Sequence, residues 1–352
     1  MNQMNNDPRY YCRDKLFAYR EFLNFSISER GLGKTTNGKF WVVDHFKKTG
    51  RKTCWVRRYN SELSGDKKKG IEGCVKKFFD KIRKFYPNDK LETKKNLMLV
   101  NGQEAGCFVA LSTSASMKSV DFPDYDTIIF DEFLIIKGSK NTYLTNEVTL
   151  FLDLISTVLR PISDENGKEP HMTRVWCMAN AITFANDYFY YFNIKPFHGR
   201  RFYHDKQRGI VVERCENPVY REAVKRTRFG KLISGTAYEQ YAVENNFIQD
   251  TDDFIGKKSP ESVLLYNIRY EGHEWGVYAD GLMFYITWKV DKTRPFYVFT
   301  KSDHTLDSYL LKSVRGTKFE ALIRGYQLGL FQCENIMIKN KFIDFMNLFI
   351  VK

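Results

Sequence analysis

Patterned cysteine, paired histidine and long apolar runs are all missing from this 352-residue sequence. Its seven cysteines (Cys12, Cys54, Cys74, Cys107, Cys177, Cys215, Cys333) are odd in number, scattered, and form no C-x-x-C. That spacing excludes a structural zinc site or a disulfide framework and fits a reducing compartment. The six histidines form no H-x-x-x-H pair. No apolar run approaches the ~18 residues of a membrane span, and the longest are interrupted by Asp131, Glu132 or Asp153. Residues 1–14 are polar and lack the apolar centre of a secretory signal. The expectation is a soluble protein of the cytoplasm with no membrane partner. No internal repeat or low-complexity stretch is present.

Acidic residues are also short, at 42 against 55 lysines and arginines, a formal charge of +13. Such a surplus favours a polyanionic partner, because phosphate contacts release counterions. The charge is concentrated in two places. Between Ser61 and Asn96 eleven basic residues stand against six acidic ones. From Val219 to Gly235, Arg221, Lys225, Arg226, Arg228 and Lys231 are opposed only by Glu222. These five are the candidate nucleic-acid contacts.

The content of 43% hydrophobic and 16% aromatic residues is ample for packed cores, and the length points to two domains. A β-branched and aromatic run from Glu21 leads into Ser28-Glu-Arg-Gly-Leu-Gly-Lys34-Thr35. This reads as strand, phosphate-binding loop and helix. Ser28, Arg30, Gly31 and Gly33 shape the loop, Lys34 reaches phosphate oxygens, and the Thr35 hydroxyl ligates Mg²⁺. The usual motif begins with Gly, and Ser28 stands in that place.

About a hundred residues later, Thr127-Ile-Ile-Phe-Asp131-Glu132 reads as a buried strand delivering two carboxylates. Asp131 suits the metal shell and Glu132 suits activation of water. A solvated turn is the plainer alternative for such acids. Together the two stretches point to an ATPase using ATP and Mg²⁺. Thr53 to Arg58 and Thr173 to Asn180 read as further strands, and helices are expected at about Gly33–Lys48 and Asn146–Arg160. Alternating strands and helices indicate an open parallel α/β sheet with its ligands at the carboxyl edge.

In the lysine-rich insertion, Ile71, Val75, Phe78, Ile82 and Phe85 recur at helical spacing, which predicts one amphipathic helix in a lid or DNA-facing segment. Beyond residue 219 a charged helical stretch precedes strands at Ser262–Glu271, Glu274–Asp280 and Leu282–Val290. Helices at about Thr305–Arg315 and Lys318–Leu330 follow, an α+β module. It offers Asp280, Asp291, Asp303 and Asp307 for a two-metal nuclease centre, of which Asp280, at a strand end, is the only well-placed one.

The chain resembles the DNA-packaging ATPase, or encapsidation protein, of the φ29-like phages. Besides the loop and the acidic strand, the resemblance rests on Trp55-Val-Arg-Arg-Tyr59, Asn146-Glu-Val148, Thr157-Val-Leu-Arg160 and Asn180-Ala181. It continues through Thr227-Arg-Phe-Gly230, Asn246-Phe-Ile248 and Trp275-Gly-Val277. The chain departs at Ser28, in an insertion around Ser61–Gly73 and in a longer loop at Pro161–Glu169.

The resemblance implies a P-loop additional-strand ATPase domain over residues 1–218, with the insertion at about 60–100. A helical linker (219–249) and an RNase H-like domain that no longer cuts DNA (250–352) would follow. It further implies a homopentameric ring at the procapsid portal, with double-stranded DNA as substrate, and leaves open a packaging RNA as partner. Arg160 becomes a candidate arginine finger, although a cation at a helix C-terminus has a plainer reading. Asn180 becomes a sensor of the γ-phosphate or the attacking water, unless it serves only a turn. Lys118 is assigned action in trans, and Arg57 contact with nucleotide or DNA. A terminase-like enzyme with an active nuclease, and a non-catalytic nucleic-acid adaptor, stay open at this point.

Overall fold

A computed structural model describes residues 7–66, 71–135, 142–160, 171–197, 199–244, 252–300, 309–310 and 317–349. The chain divides into two compact units, residues 1–183 with 197–249, and residues 184–196 with 250–352.

In the first unit α1 (Asp14–Phe17) precedes β1 (Leu23–Ser28), α2 (Lys34–Thr49) and β2 (Lys52–Arg57). Then come α3 (Asn60–Ser64), the two-residue strands β3 (Gly65–Asp66) and β4 (Ile71–Glu72), and α4 (Asp80–Arg83). The strands β5 (Leu91–Lys94), β6 (Leu97–Val100), β7 (Gln103–Ala110) and β8 (Tyr125–Asp131) lead to α5 (Glu147–Leu159) and β9 (Arg174–Asn180). After α6 (Asp187–Tyr191), which belongs to the second unit, come β10 (Phe202–Asp205) and β11 (Ile210–Cys215). Three short helices close this part: α7 (Pro218–Lys225), α8 (Arg228–Ile233) and α9 (Ala237–Ala242).

One nine-stranded sheet runs β10-β11-β1-β9-β8-β2-β7-β6-β5. Its middle, from β11 to β7, is parallel, and short antiparallel strands finish both sides. The residues of β1 and β8 are buried throughout, including the polar Asn24, Ser26 and Ser28 of β1 and Asp126, Thr127 and Asp131 of β8. Register brings Ser28 beside Asn180 and Cys215, Asp131 beside Met178, and Arg57 beside Ala110. The polar ends of four strands therefore share the carboxyl edge.

The lysine-rich insertion departs from the expected single helix. Between residues 71 and 85 only Asp80–Arg83 is helical, and residues 91–110 supply a meander that widens the sheet. Consecutive Phe78 and Phe79 are both buried, Phe78 packing edge-on against Trp55 and Phe108, and helical period does not place neighbours on one face. Backbone packing also opposes a helix there: the Cys74 and Val75 N–H groups donate to the Glu62 and Leu63 carbonyls. A Cβ on Gly73 would lie 1.9 Å from the Leu63 oxygen, so only glycine permits that approach.

The second unit carries β12 (Val263–Tyr270), β13 (His273–Asp280), β14 (Met283–Thr287), β15 (Phe296–Thr300), β16 (Tyr309–Leu310), α10 (Phe319–Gln327), β17 (Phe331–Cys333) and α11 (Ile336–Met346). Its sheet order is β16-β15-β12-β13-β14-β17. The meander β12–β13–β14 is antiparallel, β15 runs parallel to β12 and β16 to β15. Rings of Trp275, Phe299, Phe319, Phe342 and Phe345 fill the core with edge-on and tilted contacts. The sequence reading omitted α11, whose start is marked by Asn335 accepting from the Met337 and Ile338 N–H groups. The helix expected at Thr305–Arg315 lies outside the described residues, apart from the short strand β16.

Candidate active site

The loop after β1 is built by two glycines in left-handed backbone. Gly31 has φ +84° and Gly33 has φ +97°, angles at which a side chain would be strained. Gly33 is also the N-cap of α2, and no side chain caps that end, so helix N–H groups face the loop. Leu32 is fully buried, and its carbonyl accepts from the Tyr11 N–H at 2.9 Å, pinning the loop crown to the core.

Lys34 folds back into this loop and is only 7% exposed. Its Nζ donates to Ser28 Oγ at 2.6 Å and lies 3.3 Å from the Glu29 carbonyl and from Asn180 Oδ1. Burial depresses the Lys34 ammonium to about 8, opposed by nearby acidic groups including Asp131 and Glu29. Ser28, in the place of the usual glycine, thus holds the lysine head at the mouth of the loop. Thr35 Oγ1 donates to Asp131 Oδ1 at 3.0 Å, and burial pushes the Asp131 carboxyl up against the pull of Arg57.

Arg57, at the end of β2, gathers three carboxylates. Its guanidinium reaches Asp131 Oδ2 at 3.1 Å, Glu132 Oε2 at 2.7 Å and Glu62 Oε1 at 3.3 Å. Burial works against the Arg57 charge, and Asp131, Glu132 and Glu62 together outweigh it, holding the group above its ordinary range. Glu132 follows the strand in left-handed backbone, φ +59°, with its side chain 55% exposed. Such a backbone costs of order 1 kcal/mol or more and persists only where surroundings enforce it. Arg58 enforces it here: its two Nη atoms donate to the Glu132 carbonyl at 3.2 Å and the Phe133 carbonyl at 2.6 Å. Arg58 is itself clamped by the Glu147 carboxylate at 2.7 and 2.8 Å, with both side chains buried. The sequence reading missed Arg58 and Glu147. Their signal is consecutive arginines at a strand end, which point to opposite faces and find different carboxylates.

Lys34, Thr35, Asp131, Glu132 and Asn180 are therefore brought together, with Arg57 among them. Other candidates lie elsewhere. Arg160, at the C-cap of α5 with φ +38°, is 53% exposed and pairs with Asp121 at 2.8 Å. Lys118 pairs with Asp153 at 3.0 Å, also exposed. Arg30 is exposed, 3.5 Å from the Tyr238 hydroxyl.

The five cations between residues 219 and 235 divide. Arg226, Arg228 and Lys231 are exposed. Arg221 is 18% exposed, its Nε donating to Glu29 Oε1 at 3.0 Å and its guanidinium lying 3.4 Å from Glu216 and 3.5 Å from Glu244. Lys225 pairs with Glu244 at 2.5 Å. Both of these are occupied within the chain.

In the second unit Asp280 is exposed at the end of β13. The Asp291 carboxylate accepts from the Thr293 N–H and hydroxyl at 2.9 and 2.6 Å. Asp303 and Asp307 lie outside the described residues. Among the described residues no three His, Cys, Asp or Glu gather as a metal cluster, and no helix is long and apolar enough to cross a membrane.

Comparison with known proteins adds to this geometry. The family model of the podovirus DNA encapsidation protein (Gp16) matches residues 5–350. The DNA packaging protein of Bacillus phage phi29 is 31% identical over 337 residues, covering 94% of this chain and 95% of that protein. Among solved structures, the bacteriophage Phi-29 viral genome packaging motor assembly superposes with a TM-score of 0.75 at 29% identity, covering 97% of this chain and 99% of that one. The crystal structure of the N-terminal domain of the DNA packaging ATPase from bacteriophage phi29 matches with a TM-score of 0.51 at 31% identity, over 60% of this chain and 98% of that one.

Proposed function

The chain belongs to the podovirus DNA encapsidation proteins, and from that premise we propose that it is an ATP-driven motor moving double-stranded viral DNA into an empty procapsid. The observation that carries this reading is the meeting of Lys34, Thr35, Asp131, Arg57 and Glu132 at one edge of a parallel sheet. A triphosphate fits that edge: a glycine turn leads into an uncapped helix N-terminus, and a desolvated ammonium rests on weak neutral acceptors that phosphate oxygens replace. Mg²⁺ fits the pair Thr35 Oγ1 and Asp131 Oδ1, because that ion takes few protein oxygens and completes its octahedron with water and phosphates. When bound, the ion neutralises charge developing on the transferring phosphoryl group.

The residues then divide the work. Lys34 exchanges Ser28 and Asn180 for phosphate oxygens. Glu132, released from Arg57, orients the attacking water and takes its proton. Asn180, at the end of β9 beside the strand that leads to Glu132, reports the terminal phosphate or the water. Arg160 and Lys118, exposed and paired with surface acids, act on the site of a neighbouring copy in a ring. Partners on this reading are double-stranded DNA, further copies of the chain and the procapsid portal, in the host cytoplasm.

Residues 1–218 form the ATPase part and 219–249 the linker. Residues 250–352 form an RNase H-like part, supported by a three-stranded meander followed by parallel strands added beside its first strand. The test is ATP turnover by the full chain with and without double-stranded DNA. DNA-stimulated turnover is expected, and absence of turnover from folded protein with DNA and Mg²⁺ would overturn the reading.

A further inference from the structure

Glu29 is an anomaly within a phosphate-binding loop. It is a fully buried carboxylate placed where a polyanion is to be held. Its Oε1 accepts from Arg221 Nε and from the Asn217 N–H, each at 3.0 Å, while Oε2 has no hydrogen-bond partner among the described residues. The next residue of α7, as the chain runs backwards, grips the same loop: the Tyr220 hydroxyl donates to the Arg30 carbonyl at 3.0 Å. That hydroxyl stands where a Cβ on Gly31 would come within 2.4 Å. The start of α7 is thus fastened to two successive loop residues, once through charge and once through backbone.

We propose that Arg221 is a positioning residue of the nucleotide site, neutralising Glu29 so that the loop can accept a triphosphate, and is not a DNA-phosphate contact. The inference rests on the nucleotide reading of the loop. A buried carboxylate stripped of its cation repels a second anion in a medium that screens it poorly. Removing Arg221 alone should therefore harm nucleotide binding, whereas removing both charges should not. A merely structural or DNA-binding arginine predicts no such recovery.

The experiment measures ATP affinity and DNA affinity for the full chain, for Arg221→Gln, for Glu29→Gln and for the double variant. Glutamine matches Glu29 in shape and, although shorter than Arg221, keeps a hydrogen-bond donor there, and thermal unfolding monitors folding of each. Arg221→Gln should weaken ATP binding about tenfold or more, or raise KM with kcat little changed, and the double variant should return to within about threefold of wild type. DNA affinity should change less than about twofold in all three, in contrast to an Arg226→Gln, Arg228→Gln pair. A double variant that binds ATP no better than Arg221→Gln overturns the proposal, as does an Arg221→Gln protein that loses DNA affinity and keeps ATP affinity. If Arg221→Gln fails to fold, Glu29→Gln decides: its ATP affinity should equal or exceed wild type, and a loss overturns the proposal. Failure of the wild-type chain to bind ATP would overturn the nucleotide reading itself, and is seen without any variant.

Discussion

The two sheets of this protein are built from similar materials and end differently. In the nine-stranded sheet, Ser28, Arg57, Asp131 and Asn180 finish parallel strands at the same edge and meet one another. In the six-stranded sheet β13 alone runs against its neighbours, so Asp280, at its end, lies at the edge opposite the other strand ends, exposed beside the turn at Gly281. Parallel topology gathers the last residues of many strands at one edge, and antiparallel topology disperses them. Chemistry concentrates in the first sheet, and the second is dominated by an aromatic core.

The contrast is broken most forcefully at Lys34 and Glu132. Lys34→Ala should abolish ATP binding, and Glu132→Gln should bind ATP while turnover falls by about 10³ or more; wild-type turnover in the latter removes the base assignment. Next is Arg160→Ala, expected to lower ring turnover by the ~10³ low end for arginine fingers without altering ATP affinity. Mixing it with Glu132→Gln subunits should restore some hydrolysis at interfaces holding both intact groups. Mixed rings that stay inactive reject action in trans.

Arg58→Ala sharpens the comparison through stability. It strands the buried Glu147 carboxylate and should cost ~3–5 kcal/mol in a denaturant titration, where a loss near zero would show that the Glu132 turn is held otherwise. A pH effect comes next in size. Lys34 in the free protein is depressed to about 8 from 10.5 by burial, and a bound phosphate draws the proton back. ATP affinity should be flat below about pH 8 and then fall by up to ~tenfold per unit. Over the same window the unfolded chain binds more protons at this lysine than the folded one, so the Lys34 contribution to stability rises with pH. Calorimetry in buffers of different ionisation enthalpy should register proton uptake on binding above pH 8. The smallest effect belongs to the second sheet: Asp280→Asn should leave ATP turnover within about twofold, and a large loss would give that strand end a role in the chemistry.

The strand ends were legible because their signals are contiguous. Three apolar residues, Ile128 to Phe130, before Asp131 predict burial, and a glycine turn before Lys34 predicts a loop, with no distant partner needed. The charged stretch after residue 219 was legible as helical, and in the structure Asn217, Thr227 and Thr236 cap α7, α8 and α9. Long-range charge pairing was not. Glu29 and Arg221 lie 192 residues apart, and Arg58 and Glu147 lie 89 apart, so composition groups Arg221 with its exposed neighbours. The insertion deceived through period: Ile71, Val75, Phe78, Ile82 and Phe85 match a helix, while Gly73 and the adjacent buried pair Phe78–Phe79 belong to tight backbone packing.

The margins of the nine-stranded sheet bear on how copies of the chain can join. Its outermost strands, β10 and β5, have four residues each, and carry His204 and Asp205 on one side and Glu92 and Lys94 on the other. Brief, charged margins are poor templates for main-chain pairing with another molecule. Recruiting a neighbour by continuing the sheet is thereby discouraged, and association is left to side chains on loops and helix ends. Contacts of that kind can be made and released without unzipping a ladder of backbone hydrogen bonds.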